Sequence, residues 1–385
     1  MATFERRIAM HRIVQASTNP EFDEILERLC ELLQPTISEW NDAEQKYKAV
    51  GNWLSVPNTR LAPFYPDIKY QGSALLGTVV RPWEREEFDV DLLCLLSGIN
   101  LAATPPIDVF EMVAQRMEEN ATYRELMVRK ERCIAINYAG QFHLDIVPAV
   151  FADSSSSRLY IPDRSSKIWI RTDPFGYAQW FAKRTRLTEV SEGRIVRADV
   201  APLPPARRAS EITTLQRMIQ LAKRRRDIYF DGRDDAPKSI ALTTLLANCY
   251  RGEELCTDGL IGALGRILQE IRQTPGILYV PNPVDPSENL GRHWNEQSFR
   301  RFVRFVEQFH EEMIELLSTN GIDTINALLT EMFGGKASQA LTKYAEAMQA
   351  SRRAGTIGFA SATASLTTAQ TNEVPRIPRN EFFGN

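Results

Sequence analysis

The sequence predicts an α+β fold of two lobes, a mixed sheet with flanking helices followed by a helical C-terminal lobe. Three observations predict it. Apolar residues alternate with a period of two in "FDVDLLCLL" and again in "FHLDIVPAV", as half-buried strands require. Before and after those stretches they recur at three- and four-residue steps, which is the helical pattern. The chain has 385 residues, 43% of them hydrophobic, enough to bury one large core or two moderate ones.

Taken in order, Phe22, Ile25, Leu29, Leu32 and Leu33 form one helical stripe, and Pro35 breaks or bends a helix that runs on to about Tyr47. The proline-rich loop "SVPNTRLAPFYPD" leads to a short strand, "IKY", then to Gly72 and Ser73, then to "FDVDLLCLL". Ile107, Phe110, Met112, Val113 and Met117 make the next helix. "ERCIAINYAGQFHLDIVPAVF" reads as two strands around the turn residues Ala139 and Gly140. From Asp153 to Pro205 the ends are rich in serine and proline, which predicts an irregular connection. Ile212, Leu215, Ile219 and Ala222 then open a mostly helical half. The expected divisions are 1–205 for N-terminal helices and the sheet lobe, 206–350 for the helical lobe, and 351–385 for a small, polar, flexible tail.

Composition narrows the function. Forty-six basic against 49 acidic residues leave a net charge of −3, so the molecule is no general electrostatic binder of nucleic acid, and any anion site must be local. No basic and aromatic track for sequence-specific nucleic acid is present. Cys30, Cys94, Cys133, Cys249 and Cys256 form no C-x-x-C pair, which predicts reduced, buried thiols and a cytoplasmic setting. The spacing of Cys249 and Cys256 is unlike a zinc knuckle. No window has the length of apolar residues that a membrane span needs, so a soluble protein is expected.

The chemistry rests on three aspartates. Asp89 and Asp91 alternate with Phe88 and Val90, so a strand sends both carboxylates to one face, and Asp145 sits among apolar neighbours on a second strand. An isolated charged carboxylate in an apolar interior is strongly unfavourable, so a cation should meet them. Three carboxylates on neighbouring strands supply hard oxygen ligands for two Mg²⁺ ions, with Mn²⁺ as an alternative. Such a pair of ions clamps the attacking hydroxyl and the leaving pyrophosphate in a phosphoryl transfer. Gly72 and Ser73, at a strand-to-helix turn ahead of them, fit a phosphate-holding role through close backbone approach and a hydroxyl.

"GS" followed by "FDVDLLC" and later by "HLDIV" resembles the polymerase-β-like nucleotidyltransferase superfamily. More narrowly, "YQGSALLGTVVRP…EFDVDLLCLL" is similar to the bacterial cGAS/DncV-like nucleotidyltransferases (CD-NTases) of CBASS anti-phage defence. "LQRMIQLAKRRRDIYF" resembles that family's lysine-bearing helix, "KSIALTTLLANCY" its serine-containing helix, and "NPVDPSENLGRHW" an Asn/Asp-Pro segment shared with oligoadenylate synthetases. The stretch between Ser73 and Asp89 is longer than the general superfamily spacing, a difference that CD-NTases share. The resemblance implies that Asp89, Asp91 and Asp145 are the catalytic metal ligands, with Asp145 also activating the acceptor hydroxyl. It implies that Gly72, Ser73, Lys223 and Ser239 bind nucleotide. It further implies a bilobed enzyme that joins nucleoside triphosphates (ATP, GTP or pyrimidine nucleotides) into a cyclic di- or trinucleotide, which activates a separate effector. By the same resemblance, "RIPRNEFFGN" is an expected attachment point for a ubiquitin-ligase-like partner, although the chain ends in Asn385 after Gly384.

Two alternatives share these residues: a template-free linear oligonucleotide synthetase or terminal transferase, and a catalytically silent nucleotide sensor. Other candidates are weaker. Lys223 lies in a basic run that a helix end would favour anyway, and Ser239 could be no more than a helix cap. "FGGKAS" lacks the spacing of a P-loop. His143 falls on the face of Asp145 without an evident role, and Trp169, Tyr177 and Trp180 suit core packing better than base stacking.

Overall fold

The computed structural model describes residues 20–83, 87–152, 157–185, 201–204, 211–231, 233–354, 358–360 and 365–367. They fall into two compact units. One holds Gln34–Arg207 with Pro281–Leu290, and the other holds Met1–Leu33, Arg208–Val280 and Gly291–Asn385. The sequence-based boundary grouped both N-terminal helices with the sheet, whereas the division between units falls between Leu33 and Gln34, at the end of α1 (Pro20–Leu33) and ahead of α2 (Ile37–Ser55). Thr36 restarts the helix there, its hydroxyl accepting from the Glu39 amide while the Glu39 carboxylate accepts from the Thr36 amide at 2.7 Å.

In the sheet unit the strand order is β1 (Asp67–Gln71), β2 (Phe88–Leu96), β5 (Phe142–Phe151), β4 (Ile134–Tyr138) and β3 (Met127–Arg129). β2 and β5 run parallel and the other pairs antiparallel, so the sheet is mixed, as expected. The parallel pair is joined through α4 (Pro106–Glu118), α5 (Ala121–Leu126), β3 and β4. Gly140, at φ 73°, makes the β4–β5 turn that the sequence marked.

Side-chain parity divides the sheet into two faces. Phe88, Val90, Leu92, Cys94 and Leu96 of β2, with Phe142, Leu144, Ile146 and Val150 of β5, face a large core shared with Trp40, Tyr47 and Leu54 of α2 and Val109, Phe110, Val113 and Met117 of α4. The intervening positions lie on the other face. There Leu93, Leu95, Val147 and Ala149 form a smaller cluster with Cys133 and Leu159, with Phe151 packed against it, and Asp89, Asp91, His143 and Asp145 lie on the same face.

The span 153–205, expected to be an irregular connection, contains β6 (Leu159–Pro162), β7 (Trp169–Thr172) and α6 (Pro174–Thr185). β6 extends β5 and β7 extends β6. These strands are four residues each, too short for an alternation to stand out, and Asp173 starts α6 by accepting from the Gly176 amide at 2.8 Å. A hairpin of β8 (Pro281–Asn282) and β9 (Asp285–Asn289) belongs to the same unit, where Arg171 of β7 donates to Asp285 through Nε at 2.8 Å.

The second unit contains α1, α7 (Thr214–Tyr229), α8 (Ser239–Cys249), α9 (Cys256–Gln273), α10 (Glu296–Ser318), α11 (Ile322–Phe333) and α12 (Gly335–Ala354). The apolar stripe of α1, with Leu26, Leu29 and Leu33 fully buried, packs on α12 and α7, which explains why it groups with helices far along the chain. A short pairing of β10 (Gly358–Ala360) with β11 (Ser365–Thr367) follows α12. The end of the tail, "RIPRNEFFGN", lies outside the described residues. All five cysteines are buried thiols, and none is in a disulfide. No described helix is long and apolar enough to cross a membrane.

Candidate active site

Register brings the three aspartates together. β2 and β5 each begin with polar residues on the face opposite the large core, and the parallel pairing sets Asp91 beside Asp145 and Asp89 beside His143. β1 adds Gln71 on the other side of Asp91. The carboxylates stand where the apolar cluster of that face ends, so they are less buried than the sequence suggested: Asp89 is exposed, and Asp91 and Asp145 are half-buried. Water meets part of the charge.

Gly72 lies against this group. It follows β1 directly, has φ 61°, and starts the short helix α3 (Gly72–Leu76) that carries Ser73. A Cβ on Gly72 would overlap Asp91 Oδ2 and stand 3.0 Å from its Cγ, so both the backbone conformation and the space require glycine. The Ser73 carbonyl accepts from the Thr78 amide at 2.9 Å, which closes the turn.

The sequence did not mark Lys130. Its Nζ lies 3.0 and 3.1 Å from the two oxygens of Asp145. Burial alone would pull the ammonium below the ordinary lysine value, but the hydrogen bond and charge of Asp145, with smaller effects of Cys133 and Asp89, hold it above. Burial pushes the Cys133 thiol up to about 12, reinforced by Asp145, so it stays protonated at neutral pH. His143 Nε2 is hydrogen-bonded to Glu87 Oε2 at 2.6 Å, and the other Glu87 oxygen accepts from the Gly140 amide at 2.6 Å. That network ties the start of β2 to the β4–β5 turn.

Among the described residues no three His, Cys, Asp or Glu side chains are gathered tightly enough to enclose a metal as they stand. The donor set nevertheless fits a hard divalent cation: carboxylate oxygens on adjacent strands, one already holding an ammonium in two-oxygen fashion.

Lys223 and Ser239 lie in the helical unit. Lys223 is buried in the interior of α7 rather than at its end, and Ser239 is the first residue of α8. Arg226, one turn beyond Lys223, donates to the Ser239 hydroxyl at 2.5 Å, so α7 and α8 meet through that serine. The N-cap position of α8 is Lys238, which makes no side-chain cap hydrogen bond, so Ser239 is not the cap. Of the other candidates, Tyr177 is buried against Trp180, and Trp169 packs on the large core. Lys336 of "FGGKAS" donates to the Leu32 carbonyl at 2.8 Å, at the end of α1.

Residues 21–185 match the Second Messenger Oligonucleotide or Dinucleotide Synthetase domain. Over 391 aligned positions the chain is 30% identical to a c-di-GMP synthase of Roseivirga ehrenbergii, covering 97% of this chain and 100% of that one. The chain belongs to the bacterial cGAS/DncV-like nucleotidyltransferases. A second relative, the cyclic dinucleotide synthase CdnG of Bradyrhizobium diazoefficiens, is 26% identical over 67% of each chain. Solved structures of the family share the fold. CdnG of B. diazoefficiens in complex with GTP superposes with a TM-score of 0.66 at 21% identity, over 86% of this chain and 100% of that one. DncV of Vibrio cholerae, a cyclic AMP-GMP synthase, gives 0.54 at 16% identity over 88% and 86%. This CD-NTase is therefore a nucleotidyltransferase that builds a cyclic oligonucleotide.

Sequence reasoning missed Lys130, Glu87 and Arg226. The signal for Lys130 lay in the β3–β4 hairpin, where a lysine at the turn of an antiparallel pair can reach along the face carrying Asp145.

Proposed function

We propose that this CD-NTase condenses two molecules of GTP into cyclic di-GMP, releasing two pyrophosphates. The observation that carries the reading is the in-register pairing of Asp91 with Asp145 on parallel strands, with Gly72 against Asp91, in a chain similar over its whole length to a c-di-GMP synthase. In each condensation a ribose hydroxyl oxygen of one nucleotide bonds to the α-phosphorus of the other, and the bond from that phosphorus to the β-phosphate's bridging oxygen breaks. Asp145 takes the hydroxyl proton on a carboxylate oxygen. A second, intramolecular condensation closes the ring.

Asp89, Asp91 and Asp145 would hold two Mg²⁺ ions, which neutralise charge on the transferring phosphate. Gly72 allows the backbone to come close beside Asp91, and Ser73 presents its hydroxyl from the same turn. Lys223, kept as a point cation on a buried stem, suits a phosphate chain, and Ser239 stands with Arg226 on the neighbouring helix. We place the product in CBASS signalling in the cytoplasm, where it activates a separate effector.

The test is incubation of the purified protein with each labelled triphosphate, singly and in mixtures, with Mg²⁺. A phosphatase-resistant product from GTP alone is expected, identified by mass. Asp89→Ala/Asp91→Ala should make none. A linear product would move the assignment to a linear synthetase, and a variant as active as the native protein would remove the site.

A further inference from the structure

We propose that Lys130 is an internal counter-cation of the site, occupying Asp145 until a divalent ion displaces it. The proposal rests on the reading of Asp145 as a metal ligand. The ammonium spans both carboxylate oxygens, at 3.0 and 3.1 Å, and so covers the atoms that an inner-sphere metal ion would use. An ammonium in contact with both oxygens competes with a metal ion for them, because two cations on one carboxylate repel each other and each weakens the other's hold.

The contact is built in. The turn carrying Lys130 is closed by its own amide donating to the Cys133 carbonyl at 2.9 Å. The loop after β6 then clamps that turn. The Arg164 amide donates to the Glu131 carbonyl at 3.0 Å, and Arg164 Nη1 donates to the Arg129 and Lys130 carbonyls at 3.1 Å each. Arg132 Nε donates to buried Asp163 at 2.7 Å, and Asp163 also accepts from the Ser166 amide at 2.9 Å. The backbone is thus fixed while the lysine side chain remains 45% exposed, free to swing into solvent without disturbing the turn. A flexible stem on a rigid base is what an exchangeable cation needs. Lys130 therefore sets the divalent concentration at which Asp145 engages metal, and keeps the carboxylates compensated below it.

The experiment measures Mn²⁺ binding to the full chain without nucleotide, by electron paramagnetic resonance. Lys130→Met and Lys130→Gln should each bind Mn²⁺ roughly fivefold tighter, the scale of a partly exposed ion pair. Lys130→Arg should stay near the native affinity, and Asp145→Asn should weaken binding. If neither neutral variant binds more tightly while Asp145→Asn still weakens binding, the counter-cation role is overturned and the metal-site reading stands. If Asp145→Asn binds as the native protein does, both fall. Far-ultraviolet circular dichroism confirms that each variant is folded.

Discussion

Gly72 and Asp91 occupy one another's space: the carboxylate fills the volume that any side chain at position 72 would need. The last residue of β1 pairs with Asp91, and the chain turns at Gly72 with φ 61° to enter α3, so the turn and the carboxylate cannot move independently. A methyl at this position faces two penalties, the left-handed backbone and overlap with Asp91. Gly72→Ala should cost about 1–2 kcal/mol of stability from the backbone alone. Because Asp91 must shift, turnover should fall by roughly 100-fold, as misplacement of a reacting group by about 1 Å does. Product formation from GTP, together with a thermal melt, checks both; near-native turnover would show that the close approach has no role in the reaction.

The loop that braces Lys130 should be acid-sensitive in a defined window. The Ser166 amide hydrogen bond, opposed by burial and aided by Arg132, holds the Asp163 carboxyl down to about 2 from an ordinary 3.8. A carboxyl with a lower value in the folded state adds stability above its unfolded value and loses it as pH falls toward the folded one. The stabilisation from Asp163 is therefore complete above about pH 4 and disappears between 3.8 and about 2. Melting temperatures of the native protein and Asp163→Asn, compared at pH 5 and pH 2.5, should show a smaller acid-induced drop in the variant. Equal drops would mean that Asp163 has no share in the acid response.

What the sequence made legible was whatever repeated or was local. Period-two alternation placed Asp89 and Asp91 on one face, and Gly140 marked the hairpin that brings Asp145 back into line. Lys130 could not be read the same way, because its partner is determined by the register of β3, β4 and β5 and not by any spacing within "MVRKERC". The hairpin at 281–290 was hidden for a different reason: three prolines in "PNPVDPSENL" speak against strands, and its attachment depends on Arg171, far back in the chain. Exposure of Asp89 was missed because the run of apolar residues after Asp91 masks where the covered part of the face ends. The family resemblance supplied Lys223 and Ser239, which no local pattern distinguishes from a solvated helix end.

Lys223 and Ser239 should differ in how much they matter. Lys223 brings a full positive charge from the interior of α7, whereas Ser239 offers only a neutral hydroxyl, which already accepts from Arg226 at 2.5 Å. Lys223→Met keeps the apolar stem and removes the charge; the KM for GTP should rise roughly tenfold or more, the scale of one charge-assisted contact to phosphate. Ser239→Ala leaves Lys223 in place and should change KM by less than about threefold. Steady-state kinetics on the two variants checks the order, and the reverse order would shift the phosphate contact to α8.

The helical unit contains its own vulnerable point, independent of the chemistry. Arg225 of α7 donates through Nε and Nη2 to the two oxygens of Glu312 on α10, both at 2.7 Å, with the side chains only 4% and 10% exposed. Gln308 donates to the same carboxylate at 2.7 Å, so its oxygens are well occupied. In such a pair the attraction is largely offset by the cost of removing both charges from water, but deleting one partner leaves the other charge uncompensated. Arg225 would then lose the carboxylate that its guanidinium faces, on a helix that also carries buried Lys223 and Arg224. Glu312→Ala should therefore destabilise the protein by about 3–5 kcal/mol, while Arg225→Met/Glu312→Leu should recover most of that loss. Urea unfolding of the single and double variants separates the outcomes: a double variant as unstable as the single one would show that the helices are held by geometry specific to the ion pair and not by the need to compensate Arg225.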